Sequence, residues 1–216
     1  MDYPICTVPQ KAITFDRIML ECFLDETRLE AGCDEAGRGC YAGPVFASAV
    51  ILPKDFNHPL LNDSKQVKEK DRNTLRTYIE QNALAFAVAM VTNEEIDQIN
   101  ILRASFKAMH LAINLLKIQP EFLLIDGNRF DKHPSILHQC IIKGDGKFTS
   151  IAAASILAKT YRDEYMTQLH DEYPMYNWKK NKGYGTLDHR NAIAQYGLSP
   201  YHRHSFNIVP TQISLF

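Results

Sequence analysis

No two of the five cysteines, at positions 6, 22, 33, 40 and 140, form a CxxC pair, and their number is odd. That excludes a disulfide framework and a CxxC-type structural zinc site, and points to a reducing cytosol. Long apolar runs are missing too; stretches such as "ALAFAVAMV" are far too short to cross a bilayer. The start "MDYPICTVPQ" lacks the basic flank and apolar core of a signal peptide, so a cytoplasmic protein with no membrane contact is expected. There is no low-complexity tract and no repeat of roughly 20–50 residues. No Gly-Lys-Ser/Thr spacing makes a nucleotide P-loop, and no Ser-His-Asp or Cys-His arrangement offers a nucleophile. An excess of one charge is also absent: the formal net charge of −1 gives no global support to nucleic-acid binding. At 45% hydrophobic and 23% charged, the chain reads as an ordinary globular protein. Its 216 residues suit one α/β domain with an appended segment.

The charge distribution says more than the total. Residues 177–206 carry five Lys/Arg (179, 180, 182, 190, 203), three His (189, 202, 204) and one acid, Asp188. Trp178, Tyr184, Tyr196, Tyr201 and Phe206 are interleaved with them. Bases mixed with aromatics suit a phosphate backbone with stacked sugars or bases; a solvated Lys-rich surface is the ordinary alternative.

Residues 1–28 read as a preamble with a short helix around "FDRIMLECFLD". "LEAGCDE", "GPVFASAVIL", "ALAFAVAMV", "EFLLID" and "HQCIIKGD" read as strands. "NDSKQVKEKDRNTLRTYIEQN", with an Asn/Asp N-cap, and "NEEIDQINILRASFKAMHLAINLLK" read as helices. The longest helix is "SIAAASILAKTYRDEYMTQLHDEY", whose small residues permit close approach to a sheet, and "TLDHRNAIAQYG" is a short one capped by Gly197. A mixed sheet flanked by helices follows, with a core at 29–170 and a C-terminal helical extension at 171–216, all one compact unit.

Acids recur at the ends of these strands: Asp34 and Glu35, Asp126, and Asp145, each beside glycine. Ligands of open α/β sheets gather beyond strand carboxyl ends, so the four can converge. If the first strand ends or bulges at Asp34, Glu35 can swing to the same side. Carboxylates packed together call for hard cations, and an oxygen-only donor set suits Mg²⁺ or Mn²⁺. Two such ions ~4 Å apart cleave phosphodiesters in line. Singly, each acid beside a glycine could equally cap a turn. A glycosidase acid–base pair fits less well, since no aromatic sugar platform precedes Tyr41.

The segments "CDEAGRGCYAGPV", "LNDSK", "LLIDGNR", "KGD", "AAASILAKTYRD", "KGYGT" and "HRHSF" together resemble the type 2 ribonucleases H (ribonuclease HII), in order, across residues 31–206. The resemblance implies a ribonuclease H-like fold. It implies an endonuclease that cuts the RNA strand of RNA–DNA hybrids and incises 5′ to a ribonucleotide embedded in duplex DNA, leaving 3′-hydroxyl and 5′-phosphate. It implies Asp34, Glu35 and Asp126 as metal ligands, with Asp145 as the fourth carboxylate and Asp163 as its competitor. Gly37, Arg38 and Gly39 would read the ribose 2′-hydroxyl, mainly through backbone groups. Tyr184 would pack on the following deoxyribose. Ser64, Lys65, Ser155 and Lys159 would meet phosphates, with Asn128 of "DGN" also in the substrate site. His202, Arg203 and His204 would bind a phosphate or brace the C-terminus. Cys33 and Cys40, and His204 where Arg is frequent, depart from the common pattern. A monomer is expected, and "TQISLF" has the Gln…Leu-Phe pattern of a sliding-clamp-binding tail. A non-catalytic hybrid-binding module and a sister nuclease such as type 3 ribonuclease H are the competing readings.

Overall fold

The computed structural model describes residues 20–62 and 64–208. Strands β1 (Glu30–Ala36), β2 (Val45–Ile51), β3 (Ala85–Val91), β4 (Phe122–Asp126) and β5 (Leu137–Ile141) form one sheet in the order β3-β2-β1-β4-β5. β1–β2 and β2–β3 are antiparallel, whereas β1–β4 and β4–β5 are parallel. Helices are α1 (Glu69–Asn82), α2 (Asn93–Ile99), α3 (Ile101–Leu115), α4 (Thr149–Glu172), α5 (Trp178–Asn181) and α6 (Leu187–Tyr196). The expected mixed sheet with flanking and C-terminal helices is therefore present. No helix among the described residues is long and apolar enough to cross a membrane.

Strand alternation assigns the two faces. Ala31 and Cys33 of β1, with Leu123 and Ile125 of β4, join Ala104, Ala108 and Met109 of α3 in one core. The intervening residues face α4: Leu124 packs with Ile151, and Val50 of β2 with Ala152, Ala153 and Ala154. Gly32 is where α4 comes closest. A Cβ there would lie 2.2 Å from the Ser150 carbonyl carbon and 2.4 Å from the Ile151 nitrogen. The small residues that open α4 thus seat a helix directly on a glycine of β1.

Several boundaries differ from expectation. Residues 64–68 are not helical; α1 begins at Glu69, and its N-cap Lys68 gives no side-chain bond. The long second helix is broken at Asn100, whose φ of 67° leaves the helical region while its side chain accepts from the Leu102 and Arg103 N–H groups. The break comes from a capping residue inside an unbroken apolar period, which periodicity cannot show. The last strand stops at Ile141, and Asp145 lies in a 3₁₀ turn, Gly144–Gly146. No bulge interrupts β1 at Asp34: the pairs Asp34–Ser48, Glu35–Ala47 and Ala36–Phe46 continue the ladder to β2. The preamble helix falls mostly outside the described residues, and Leu20–Asp25 is not helical. "TQISLF" lies wholly outside them.

The C-terminal helices pack on the far half of α4, around Met166, Leu169, Tyr176, Trp178, Ala192 and Ile193. Two buried histidines sit in this cluster, and their tautomers follow from their partners. The His189 Nδ1–H donates to the Tyr184 carbonyl, and its Nε2 accepts from the Trp178 indole N–H. The His202 Nδ1 accepts from the Ser199 N–H, so its Nε2–H donates to His189 Nε2 at 3.1 Å. Neither ring has room for a second proton. Burial first, then the neighbouring His189, pushes His202 down to about 4.

Two predictions follow from these contacts. Gly32→Ala should lower the thermal midpoint by several degrees, because overpacking against main chain costs about 1–3 kcal/mol or more. An unchanged melt would show that α4 can lift off β1. His202 should stay neutral in imidazole NMR down to about pH 4. Because the unfolded chain protonates near 6.5, this term is complete above that pH and is lost as pH falls from 6.5 towards 4, on the order of 2 kcal/mol. A His202 titrating near 6.5 would refute it.

Candidate active site

Register and parity bring two distant acids together. Cys33 of β1 pairs with Ile125 of β4 in parallel, so Asp34 and Asp126, one residue further on, stand side by side on adjacent strands, Asp126 at the end of β4 and Asp34 two residues before the end of β1. Both follow α4-facing residues by two, Gly32 and Leu124, so both belong to the same face. The ladder between these strands stops at Cys33–Ile125, leaving Glu35 beyond it without a β4 neighbour. The turn after β5 then brings Asp145 alongside. Gly144 N–H donates to Asp126 Oδ1 at 2.7 Å, and Asp145 Oδ2 pairs with Lys65 Nζ at 3.3 Å.

Each carboxylate has defined neighbours. Asp34 is buried; its Oδ1 accepts from the Glu35 N–H at 2.7 Å, and the Ser155 hydroxyl donates to it. The Ser155 oxygen lies 2.8 Å from Ser64 Oγ, so a chain Ser64–Ser155–Asp34 runs from the "NDSK" turn through α4 to β1. Glu35 Oε1 accepts from Arg38 Nη1 at 3.0 Å. Burial, then the charges of Glu35 and Asp126, push the Asp34 carboxyl well above the usual carboxylate range. Burial also raises Glu35; Arg38 opposes this most strongly, Asp126 adds to it and Lys65 opposes it. Glu30, also a buried acid of β1, is by contrast structural: its oxygens accept from the Leu24 and Asp25 N–H groups.

Among the described residues, no three His, Cys, Asp or Glu side chains stand so placed that together they could hold a metal ion. The donors nevertheless fit a hard divalent ion. All are carboxylate oxygens, and buried Asp34 lies within reach of the charges of Glu35 and Asp126. Asp163 is committed elsewhere: Lys159 Nζ donates to its Oδ1 at 2.6 Å, and Arg72 Nη2 lies 3.9 Å from its Oδ2. Arg72 in turn donates to the Ser64 and Val67 carbonyls. Asp163 thereby ties α4 to the "NDSK" turn.

The glycine-rich loop after β1 is the other half of the site. Gly37 has φ of 100°, and a Cβ there would meet the Arg162 side chain at 2.0 Å. Residues 40–42 pair with 183–184: Cys40 bridges Tyr184, and Tyr41 N–H donates to the Gly183 carbonyl at 2.8 Å. Tyr184 is exposed, with Lys159 Nζ 5.9 Å and the Arg162 guanidinium 6.0 Å from its ring centre. Arg38 and Gly39 are exposed beside it, and Asn128 is exposed in the loop after β4.

Ser64 and Ser155 lie buried against each other rather than on the surface. Arg203 is also inside, completely buried, and braces the chain from below. Burial first, then Arg162, pushes it down to about 10. Arg162 and His189 hold main chain around the site, a role that pattern alone does not assign them. Their signal was an arginine in an alanine-rich helix and a histidine in a polar stretch, which sequence alone assigns to the surface.

A family model described as Ribonuclease HII matches residues 31–209. The chain is 64% identical over 191 residues to ribonuclease HII of Bacteroides thetaiotaomicron, covering 88% of this chain and 96% of that one. It is 62% identical over 199 residues to that of Bacteroides fragilis, covering 92% and 99%. Among solved structures it resembles ribonuclease H2 from Pyrococcus horikoshii, with TM-score 0.69 at 25% identity, covering 83% of this chain and 94% of that one. It shares the fold of the ribonuclease HII solved with PCNA from Archaeoglobus fulgidus, with TM-score 0.66 at 22% identity, covering 87% and 100%. It also shares that of Bst-RNase HIII in complex with Mn²⁺, with TM-score 0.64 at 18% identity, covering 83% and 67%.

Asp34→Asn removes one buried charge from a group of like charges. In EDTA it should raise the thermal midpoint, on the order of 1 kcal/mol or roughly 2–4 °C, while abolishing metal-dependent activity. A lowered midpoint would show that these carboxylates are not held against mutual repulsion.

Proposed function

The chain belongs to the ribonuclease HII family, and on that premise we propose that Asp34, Glu35, Asp126 and Asp145 hold the divalent ions with which it cuts RNA. As a member of that family it is a metal-dependent endoribonuclease acting on the RNA of RNA–DNA hybrids. The finer reading is incision 5′ to a ribonucleotide embedded in duplex DNA, leaving 3′-hydroxyl and 5′-phosphate ends. The observation that carries it is the placement of Asp34 beside Asp126 on adjacent parallel strands, on one face, with the charge of Asp126 acting on the Asp34 carboxyl.

Divalent ions such as Mg²⁺ or Mn²⁺, held by Asp34, Glu35, Asp126 and Asp145, would supply acidity to an attacking water and charge compensation to the leaving 3′-oxygen. The residues of the chain do the remaining work. Asp34 stands centrally, its orientation held by the Ser155 hydroxyl and the Glu35 N–H. Asp126 is aimed by the Gly144 N–H and Asp145 is steadied by Lys65. Asp145, in the turn whose Gly144 N–H bonds Asp126, is assigned as the fourth carboxylate, since Asp163 is bound to Lys159 and lies close to Arg72. Lys65 and Lys159 favour the phosphates flanking the cut, and Ser64 and Ser155 act through Asp34. Gly37, Arg38 and Gly39 meet the 2′-hydroxyl, which alone separates RNA from DNA at that sugar. Tyr184 offers its exposed ring to the next, deoxy sugar, where a 2′-hydroxyl would be desolvated.

Residues 29–170 are read as the catalytic core and 171–216 as the substrate-binding extension, in a monomer working in the cytosol. The "TQISLF" terminus is read as a tail for a sliding clamp; the Archaeoglobus fulgidus protein of this fold was solved with PCNA.

The test is a nicking assay on a DNA duplex with one ribonucleotide and on its all-DNA counterpart. With Mg²⁺ or Mn²⁺, only the first should be cut, on the 5′ side of the ribonucleotide, and EDTA should stop the reaction. Asp126→Asn should lower kcat about 100-fold or more, as expected for losing several kcal/mol of charge stabilisation. Near-normal cleavage by that variant at saturating metal would remove the carboxylate assignment, and equal cutting of both duplexes would remove the ribose reading.

A further inference from the structure

Arg162 and Arg203 are both completely buried, and among the described residues neither has a carboxylate within ion-pair distance. Burying a guanidinium costs several kcal/mol unless its donors are satisfied. Here main-chain carbonyls satisfy them. Arg162 donates to Pro44 O, Lys182 O and Ala42 O, at 3.0, 2.8 and 3.1 Å. Arg203 donates through Nε to Gly43 O at 2.9 Å, through Nη1 to Arg38 O at 2.9 Å and through Nη2 to Gly37 O at 2.7 Å. The two frames differ. Arg162 closes the seam between 42–44 and 182, whereas two of the three Arg203 bonds reach the exposed glycine-rich turn.

The consequence for that turn is directional. With the Gly37 and Arg38 carbonyls held by Arg203, the main-chain groups of the turn without a hydrogen bond among the described residues are the Gly37, Arg38 and Gly39 N–H donors and one acceptor, the Gly39 carbonyl, and of the donors those of exposed Arg38 and Gly39 face outward from a surface position. We propose that Arg203 is a positioning residue for sugar selection, fixing the 37–39 turn from below so that the Arg38 and Gly39 N–H groups are presented as donors to the 2′-hydroxyl oxygen. The inference rests on the ribonuclease reading and deepens it. Only a planar fork reaches three carbonyls from one stem, so lysine keeps the charge but not the frame.

The test separates selection from binding. Affinities of wild type, Arg203→Lys and Arg162→Lys are measured with Ca²⁺ in place of Mg²⁺, for the one-ribonucleotide duplex and its all-DNA counterpart. Arg203→Lys should lower the ribo/deoxy affinity ratio about tenfold, the worth of one or two hydrogen bonds, with all-DNA affinity nearly kept. Arg162→Lys should lower the ratio less than Arg203→Lys does, since the Arg162 side chain packs under Gly37 but its carbonyl partners lie outside the turn. An unchanged ratio in Arg203→Lys, or an equal fall in both variants, overturns the assignment. Hydrogen exchange on the wild-type protein guards against variants that fail to fold. The Arg38 and Gly39 amides should be protected more by the ribonucleotide duplex than by all-DNA, and equal protection overturns the proposal. If wild type nicks neither duplex with Mg²⁺ or Mn²⁺, the ribonuclease reading itself fails, an outcome distinct from a wild type that nicks selectively while Arg203→Lys keeps its ratio.

Discussion

Two carboxylates that repel each other are held side by side by a pair of parallel strands. Asp34 and Asp126 share a face because their strands are in register at Cys33–Ile125, and neither can turn away without losing alternation along a buried strand. The surroundings then reinforce the arrangement. Gly32 lets α4 rest on β1, which puts Ser155 over Asp34; the turn after β5 gives Asp126 a main-chain donor. Charge that would be expelled from an ordinary core is retained because the backbone leaves it nowhere else to go.

The opposite charge is handled in a different way. Acids at the strand ends keep neighbouring acids, so their repulsion stays available to a cation. Arg162 and Arg203 instead have a carbonyl partner for every nitrogen of their guanidinium groups, six between them, so their role is to shape main chain. Neutral imidazoles complete that scaffold: His202 donates to His189, and His189 to the Tyr184 carbonyl. The "HRHSF" stretch, basic by composition, is therefore interior at His202 and Arg203, while His204 and Ser205 are exposed. His202 and Arg203 hold the two loops that flank the site, and Asp97 accepts from the His204 and Ser205 N–H groups.

What could be read from the sequence was what repeats or stands beside glycine. The strands "FLLID" and "AFAVAMV" and the long alanine-rich helix announce themselves through composition, and their terminal acids follow. What could not be read depends on single side chains choosing among partners. Asn100 breaks a regular apolar period by capping α3 from its interior. Glu35 joins the group with no bulge at all, because the β4 ladder ends one residue before Asp34. Arg203 looks like a surface base until the carbonyls that receive it are seen, and those lie about 160 residues away in sequence. Local pattern reports periodicity; it does not report which distant carbonyls a buried cation will find.

Helix α4 links the two halves of the site as a rigid spacer. Ser155 touches the carboxylates, Lys159 approaches Tyr184, and Arg162 lies under Gly37. These positions are spaced by four and three residues, so they lie along one stripe of the helix, about 10 Å from first to last. Cutting a phosphodiester and recognising a neighbouring sugar require a constant separation between the reacting group and the recognising loop. A helix supplies that constancy better than two independent loops, since its hydrogen bonds fix every intermediate residue. Seated on Gly32 near one end and on the C-terminal cluster at the other, α4 cannot shift along its axis without disturbing both. Geometric coupling between chemistry and selection is therefore built into one element, and the alanines of its first turns are there to let that element sit close enough to serve both.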